Sequence, residues 1–128
     1  PQDDDASTNG TAETDVSDSD DALPEISVHD LKRRRDEGDA PFVLDVREPY
    51  EAEIASINAD QLIPVDELED RLNELEADPN EEIVVHCRSG GRSAKATEFL
   101  REKGYNASNL AGGVLAWSDE IDSSVRKY

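Results

Sequence analysis

With 128 residues the chain is long enough for one domain with its own core, and 32 Asp and Glu against 13 Lys and Arg give it a formal charge of −19. A surface this acidic repels a phosphate backbone, which argues against a nucleic-acid partner, and a single cysteine rules out an internal disulfide. No apolar run is long enough to cross a membrane and no signal-peptide core is present, so the expectation is a cytoplasmic protein with no membrane partner.

Nine of the acidic residues fall in the first 25 positions, which carry no Lys or Arg. That stretch has too little apolar surface to offset its ordering entropy, so residues 1–25 read as a disordered acidic tail or an inter-domain linker. The remaining body is still strongly acidic, with four lysines against nine arginines, and reads as a halophilic protein whose self-repulsion is screened by salt. The chain contains no methionine, so it has either lost its initiator or is a piece of something longer.

Residues 26–128 read as the folded domain. Ser27 and Asp30 form a capping-box pattern before a short helix ending near Gly38. Phe42 to Val46 reads as a buried strand with Asp45 at its carboxyl end, and Pro49 fits the first turn of a helix over 49–55. Leu62-Ile63-Pro64 is another short strand. Val65, Leu68, Leu72 and Leu75 recur at helical spacing and predict an amphipathic helix. Ile83-Val84-Val85 is the strand that leads to Cys87. A helix over about 92–103 should end at Gly104 in a left-handed cap. Ala107 to Leu110 is the last strand, and Gly112 opens a final short helix. Strands alternating with helices imply an α/β domain with a mostly parallel sheet, whose ligands gather beyond the carboxyl ends of the strands. Asp45, Arg47 and Cys87 fall at such ends and could share one site.

Cys87 is the chain's only cysteine, and Cys87-Arg88-Ser89-Gly90-Gly91-Arg92-Ser93 joins its strand to the following helix. Free amides and the positive end of a helix dipole converge there, and two arginines flank the sulfur, all of which favours the thiolate. The pattern is a nucleophile in an anion cradle. Cysteine phosphatases place five residues between Cys and Arg in a similar loop, and His86-Cys87 imitates the opening of their motif. Here four residues intervene, which argues for a smaller guest such as a sulfane sulfur carried on Cys87.

Three segments together resemble a single rhodanese domain: Leu44-Asp45-Val46-Arg47-Glu48-Pro49, Cys87-Arg88-Ser89-Gly90-Gly91-Arg92-Ser93, and Asn109-Leu110-Ala111-Gly112-Gly113-Val114-Leu115-Ala116-Trp117. The resemblance covers about residues 25–128. It implies a three-layer α/β fold with a central, mostly parallel five-stranded sheet flanked by helices, sulfurtransferase activity, and a cysteine persulfide intermediate. The ending from Trp117 to Tyr128 is similar to rhodanese domains fused to adenylyltransferases of molybdopterin and thiamine biosynthesis. Family members often carry Ile-Pro-Gly-Ala where this chain has Ile57-Asn58-Ala59-Asp60, which predicts a loop of different shape. His86 stands where relatives often have an aromatic residue, and no function is assigned to it.

A buried core thiol would need neither the two glycines nor the paired arginines, so Cys87 reads as the nucleophile. Gly90 and Gly91 make the turn and the cradle together. Arg88 either meets substrate or is a solvated charge. Arg92 closes the loop and is placed to hold an anionic donor, while Ser89 and Ser93 either donate to bound sulfur or cap the helix. Asp45 and Arg47 read as structural support, His29 as a surface residue, and Trp117 as core. Arg33-Arg34-Arg35 reads as a solvated helix face rather than a docking patch. No residue cluster has metal-ligand spacing, and no cofactor is implied. The expected reaction moves sulfur from thiosulfate or a persulfide to a thiol or to cyanide, with a sulfur-carrier protein or adenylyltransferase as a possible partner. The rivals are a non-catalytic sulfur-relay module and a cysteine phosphatase or arsenate reductase.

Overall fold

The computed structural model describes residues 23–128. Five strands form one sheet: β1 (Glu25–Ile26), β2 (Phe42–Asp45), β3 (Gln61–Leu62), β4 (Glu82–His86) and β5 (Asn106–Leu110). Their order is β1-β5-β4-β2-β3, and every neighbouring pair is parallel. Three helices connect strands, α1 (Val28–Asp36), α2 (Pro49–Ile54) and α3 (Gly91–Glu102), and α4 (Gly113–Glu120) follows β5. A parallel sheet buries both faces, so its inner strands carry near-continuous apolar runs, as Val43-Leu44 and Ile83-Val84-Val85 do.

Alternation along those strands sorts the core into two layers. Leu44, Val46, Ile83 and Val85 pack with Ala96 and Leu100 of α3, whereas Val43 and Val84 pack with Val28 and Leu31 of α1 and Val114 and Trp117 of α4. This is the three-layer α/β architecture expected. Trp117 is buried, as anticipated, and His29 is exposed and contacts Glu120.

Of the stretch expected to be disordered, residues 1–22 lie outside the described residues. Pro24 and Glu25 are part of the sheet: the Asn109 amide donates to the Pro24 carbonyl at 2.9 Å, and Glu25 pairs with Asn109. Ser27 caps α1 by accepting from the Asp30 amide at 3.0 Å.

The helix expected over Val65 to Leu75 is two separate 3₁₀ turns, Val65–Glu67 and Leu72–Glu74. The pairs 65/68 and 72/75 are spaced by three, a period that suits a 3₁₀ turn as well as an α-helix. Asp66, Glu67, Glu69, Asp70 and Glu74 crowd the segment with like charge, which disfavours a continuous helix. The arginine run also departs from a solvated face. Arg34 reaches Glu82 at 2.7 Å, while Arg35 donates to the Ile57 carbonyl at 2.7 Å and lies over the Trp117 ring. In the Ile57–Asp60 loop Asn58 adopts φ 62°, and the Asp60 carboxylate accepts from the Val43 amide at 2.8 Å.

Candidate active site

The carboxyl ends of β2 and β4 are adjacent, with Asp45 in register with His86, so the chain leaving each strand enters one region. Cys87 follows β4 directly. Gly90 turns the chain at φ 115°, a left-handed conformation that a side chain would strain, and α3 begins at the next residue. The two glycines are therefore not equivalent. A Cβ on Gly91 would meet nothing within 4 Å, so the turn's requirement rests on Gly90.

This turn aims donors at the sulfur. The Cys87 Sγ accepts from the Gly90 amide at 3.1 Å and the Ser93 amide at 3.4 Å, both at the open amino end of α3. The Ser93 hydroxyl lies 3.3 Å from Sγ and 2.6 Å from Asn109 Oδ1. It has one proton to give, so a neutral thiol leaves it with Asn109 and an anionic sulfur competes for it. Burial pushes the Cys87 thiol up, but the Ser93 hydroxyl and the amides of Ser93, Gly90 and Ser89 outweigh that, and the net direction is down. Cys87 is 1% exposed.

The loop carbonyls point the other way. Val114 and Leu115, in the first turn of α4, donate to the carbonyls of Cys87 and Arg88, both at 3.0 Å. Holding the carbonyls from behind leaves the amides facing the sulfur.

The carbonyl-anchored loop, the Gly90 turn and the α3 amides follow one another along residues 87–115, and the sequence profile of the rhodanese-like domain family matches residues 27–120. The chain belongs to the rhodanese-like domain family. It is 38% identical over 115 residues to the maize (Zea mays) adenylyltransferase and sulfurtransferase MOCS3-2, a match that takes in 83% of this chain and 24% of the maize protein. Among solved structures, a rhodanese-related protein from Thermoplasma volcanium is 36% identical, with a TM-score of 0.69 over 77% of this chain and 93% of that one. The human single-domain sulfurtransferase TSTD1 is 29% identical, with a TM-score of 0.66 over 77% of this chain and 98% of that one. This chain thus spans about a quarter of the plant protein and nearly all of the small structural relatives.

Within this rhodanese-like frame, the two arginines are held rather than free. Arg92 forms a bidentate pair with Glu51, at 2.7 and 2.8 Å, and is 37% exposed. The Arg92 pair holds the Glu51 carboxyl down to about 2 in spite of its burial, and Glu51 in turn raises the Arg92 guanidinium further. Arg88 donates through Nε and Nη2 to the main-chain carbonyl of Tyr128. Asp45 and Arg47 do not approach the sulfur through any hydrogen bond. They pair with each other, at 2.9 Å and 2.7 Å, and Arg47, 0% exposed, also reaches the Glu51 carbonyl and the Tyr128 hydroxyl. Ser89 is exposed, and its contribution is its amide. Among the described residues no group of three or more His, Cys, Asp or Glu could hold a metal ion.

Residue-by-residue reading of the sequence missed Glu51, Asn109 and Tyr128 as parts of this network. Glu51 did carry a signal, standing three residues after Glu48, with which it forms a reciprocal capping box. Asn109 is a buried polar residue in a central strand, where asparagine is disfavoured without a partner. Nothing local to Tyr128 marks it.

His86 is fully buried, and its Nε2 has no hydrogen-bond partner, lying 3.8 Å from Asp45 Oδ2. Burial drives the ring down to about 4, against the pull of Asp45, so it is neutral at pH 7. The unfolded chain binds that proton near 6.5 and the folded one near 4. Stability contributed by the neutral ring is therefore complete above pH 6.5 and lost as the pH falls towards 4, by roughly 3 kcal/mol. His86→Phe should remove this part of the pH dependence. Urea midpoints at pH 7 and pH 4.5 measure it, and an unchanged pH slope in the variant would count against the assignment.

Proposed function

We propose that the chain is a sulfurtransferase that moves sulfane sulfur from thiosulfate or a persulfide donor to a thiophilic acceptor through a persulfide on Cys87. The observation that carries this reading is the convergence of the Gly90 amide, the Ser93 amide and the Ser93 hydroxyl on Cys87 Sγ. Donors so placed stabilise a thiolate before the reaction and an anionic persulfide after it, with no rearrangement of solvent.

In the proposed reaction the Cys87 thiolate attacks the outer sulfur of thiosulfate. A bond forms between Sγ and that sulfur as the sulfur–sulfur bond of the donor breaks, and sulfite leaves with the electron pair. Cyanide in an assay, or a thiolate in the cell, then attacks the carried sulfur, and the Cys87 thiolate departs unchanged in charge. Two half-reactions joined by a covalent intermediate imply ping-pong kinetics. Likeness to a plant protein named for both adenylyltransferase and sulfurtransferase activity supports a sulfur-carrier protein or adenylyltransferase as the partner. It also supports the second reading, in which the domain relays sulfur to a protein and turns over small donors poorly.

Intact mass spectrometry after incubation with thiosulfate tests the proposal. The expected result is a gain of one sulfur atom that cyanide removes as thiocyanate. A protein that stays at its starting mass with thiosulfate and with a small-molecule persulfide, while its thiol still titrates, rules the reading out. Sulfur uptake followed by slow release to cyanide but fast release to a partner protein selects the relay reading.

A further inference from the structure

Residues 121–128 take no part in the reaction above, yet they end against the loop that carries it. After α4 the chain turns back along the layer that holds Trp117, where Ile121 and Val125 pack. The Ser118 hydroxyl donates to the Val125 carbonyl at 2.6 Å, and Lys127 pairs with Asp119. These contacts deliver Tyr128 to the carboxyl edge of the sheet.

Tyr128 then makes four kinds of contact, each to a residue beside the candidate site. Its hydroxyl accepts from Arg47 Nη1 at 2.9 Å and donates to Glu51 Oε1 at 3.0 Å. Its main-chain carbonyl accepts from Arg88 Nε at 2.6 Å and from Arg88 Nη2. Its ring lies beneath two guanidiniums, with Arg88 at 5.2 Å and Arg47 at 5.9 Å from the ring centre. Glu51 is the bidentate partner of Arg92. One residue therefore touches Arg88 directly and Arg92 through a single carboxylate.

We propose that Tyr128 is a positioning residue for the two arginines that flank Cys87, and that it thereby sets the preference of the site for anionic over neutral reagents. An arginine on an exposed loop samples many rotamers, and its charge is spread over the volume they cover. Stacking on a ring and donating twice to one carbonyl confine Arg88 to the edge of the loop. The hydroxyl does the same for Glu51, and so for the Arg92 fork. The preference concerns the same sulfur site and rests on Cys87 being its nucleophile. The arginine pinning is a property of Tyr128 that holds whichever donor is used.

The test compares the rates at which iodoacetate and iodoacetamide alkylate Cys87, at the lowest salt in which the chain is folded. In both reactions the thiolate displaces iodide, the sulfur–carbon bond forming as the carbon–iodine bond breaks. Their ratio therefore cancels the thiolate fraction, and a urea series on each variant identifies the rates that belong to the folded chain, so that a merely structural role for Tyr128 leaves the folded-chain ratio unmoved. Tyr128→Ala should lower the iodoacetate-to-iodoacetamide ratio about two- to fivefold, the range of one exposed charge interaction. Tyr128→Phe, which loses the hydroxyl but keeps the ring beneath Arg88, should lower it less. In an Arg88→Ala background Tyr128→Ala should add less than it does alone, because one of its two routes, the direct hold on Arg88, is already gone. An unchanged ratio in Tyr128→Ala, or effects of the two alanine variants that simply add, overturns the proposal. Sulfur uptake from thiosulfate is measured in parallel, so that its absence with a shifted ratio indicts the sulfurtransferase reading and not the role of Tyr128.

Discussion

Cys87→Ser is expected to abolish sulfur transfer from thiosulfate to cyanide, by roughly a thousandfold or more, while leaving the fold in place. A serine oxygen in the same cradle accepts the same amide hydrogen bonds, at 3.1 and 3.4 Å in the parent, so the loop keeps its geometry. What is lost is the nucleophile: an alcohol at neutral pH is almost wholly protonated, whereas the thiol here is shifted towards its anion. The measurement is thiocyanate formation with excess cyanide, accompanied by a melting curve. Turnover within tenfold of the parent in a variant of unchanged melting temperature would mean that sulfur travels by a route that avoids Cys87. The same variant should gain no mass from thiosulfate.

Gly113→Ala is expected to damage both stability and activity, although residue 113 touches no substrate. Its φ is 56°, in the left-handed region, and an added Cβ would sit 2.5 Å from the Cys87 carbonyl and 2.7 Å from the Arg88 carbonyl. Those atoms are backbone and cannot swing aside. The conformational penalty is about 1–2 kcal/mol, and forcing the elements apart adds about 1–3 kcal/mol. A loss of about 2–5 kcal/mol in urea unfolding follows from these two together. Relief by separating α4 from the loop would free the Cys87 and Arg88 carbonyls from Val114 and Leu115 and let the loop amides turn away from Sγ. Any folded fraction should therefore show slower sulfur uptake. An alanine variant as stable and as active as the parent would mean that the close approach of α4 does not hold the loop. Gly91→Ala is the natural comparison, since its Cβ meets nothing, and it should cost little in the fold.

The contrast between these glycines shows where reading along the chain stops. Gly90 and Gly91 look alike in sequence, and only the φ of 115° at Gly90 separates the required one from its neighbour. Gly113 carries a demand set by a carbonyl 26 positions earlier, which no local pattern contains. The Val65–Leu75 segment failed for a different reason. A period-three spacing is shared by two kinds of helix, and the acidic side chains between the apolar positions decided which kind formed. The arginine run at 33–35 read as solvated because charge along one helix says nothing of what another element brings against it. Glu82 and the Ile57 carbonyl came from distant strands and loops.

Four of the five strands, their parallel arrangement and the place of Cys87 beyond β4 were legible without coordinates; β1 was not, because two residues at a sheet edge carry no pattern of their own. Apolar runs, helix caps and turn residues act over a few positions, and their physics is local. The convergence of free amides on the sulfur was legible too, because a helix that begins just after a strand always presents its unpaired N–H groups there. The destinations of the charged side chains were not. Arg92 was expected to face a donor and is paired with Glu51, Arg88 lies on Tyr128, and Asp45 and Arg47 close on each other in the interior. Each of those outcomes depends on which opposite charge or carbonyl the fold carries within about 3 Å, the reach of a hydrogen bond. Sequence alone therefore determined the scaffold and the position of the sulfur, through interactions between near neighbours. Tertiary structure decided how the two arginines around the sulfur are held, because the partners of Arg88 and Arg92 are 40 and 41 residues away along the chain and meet only when the sheet has formed.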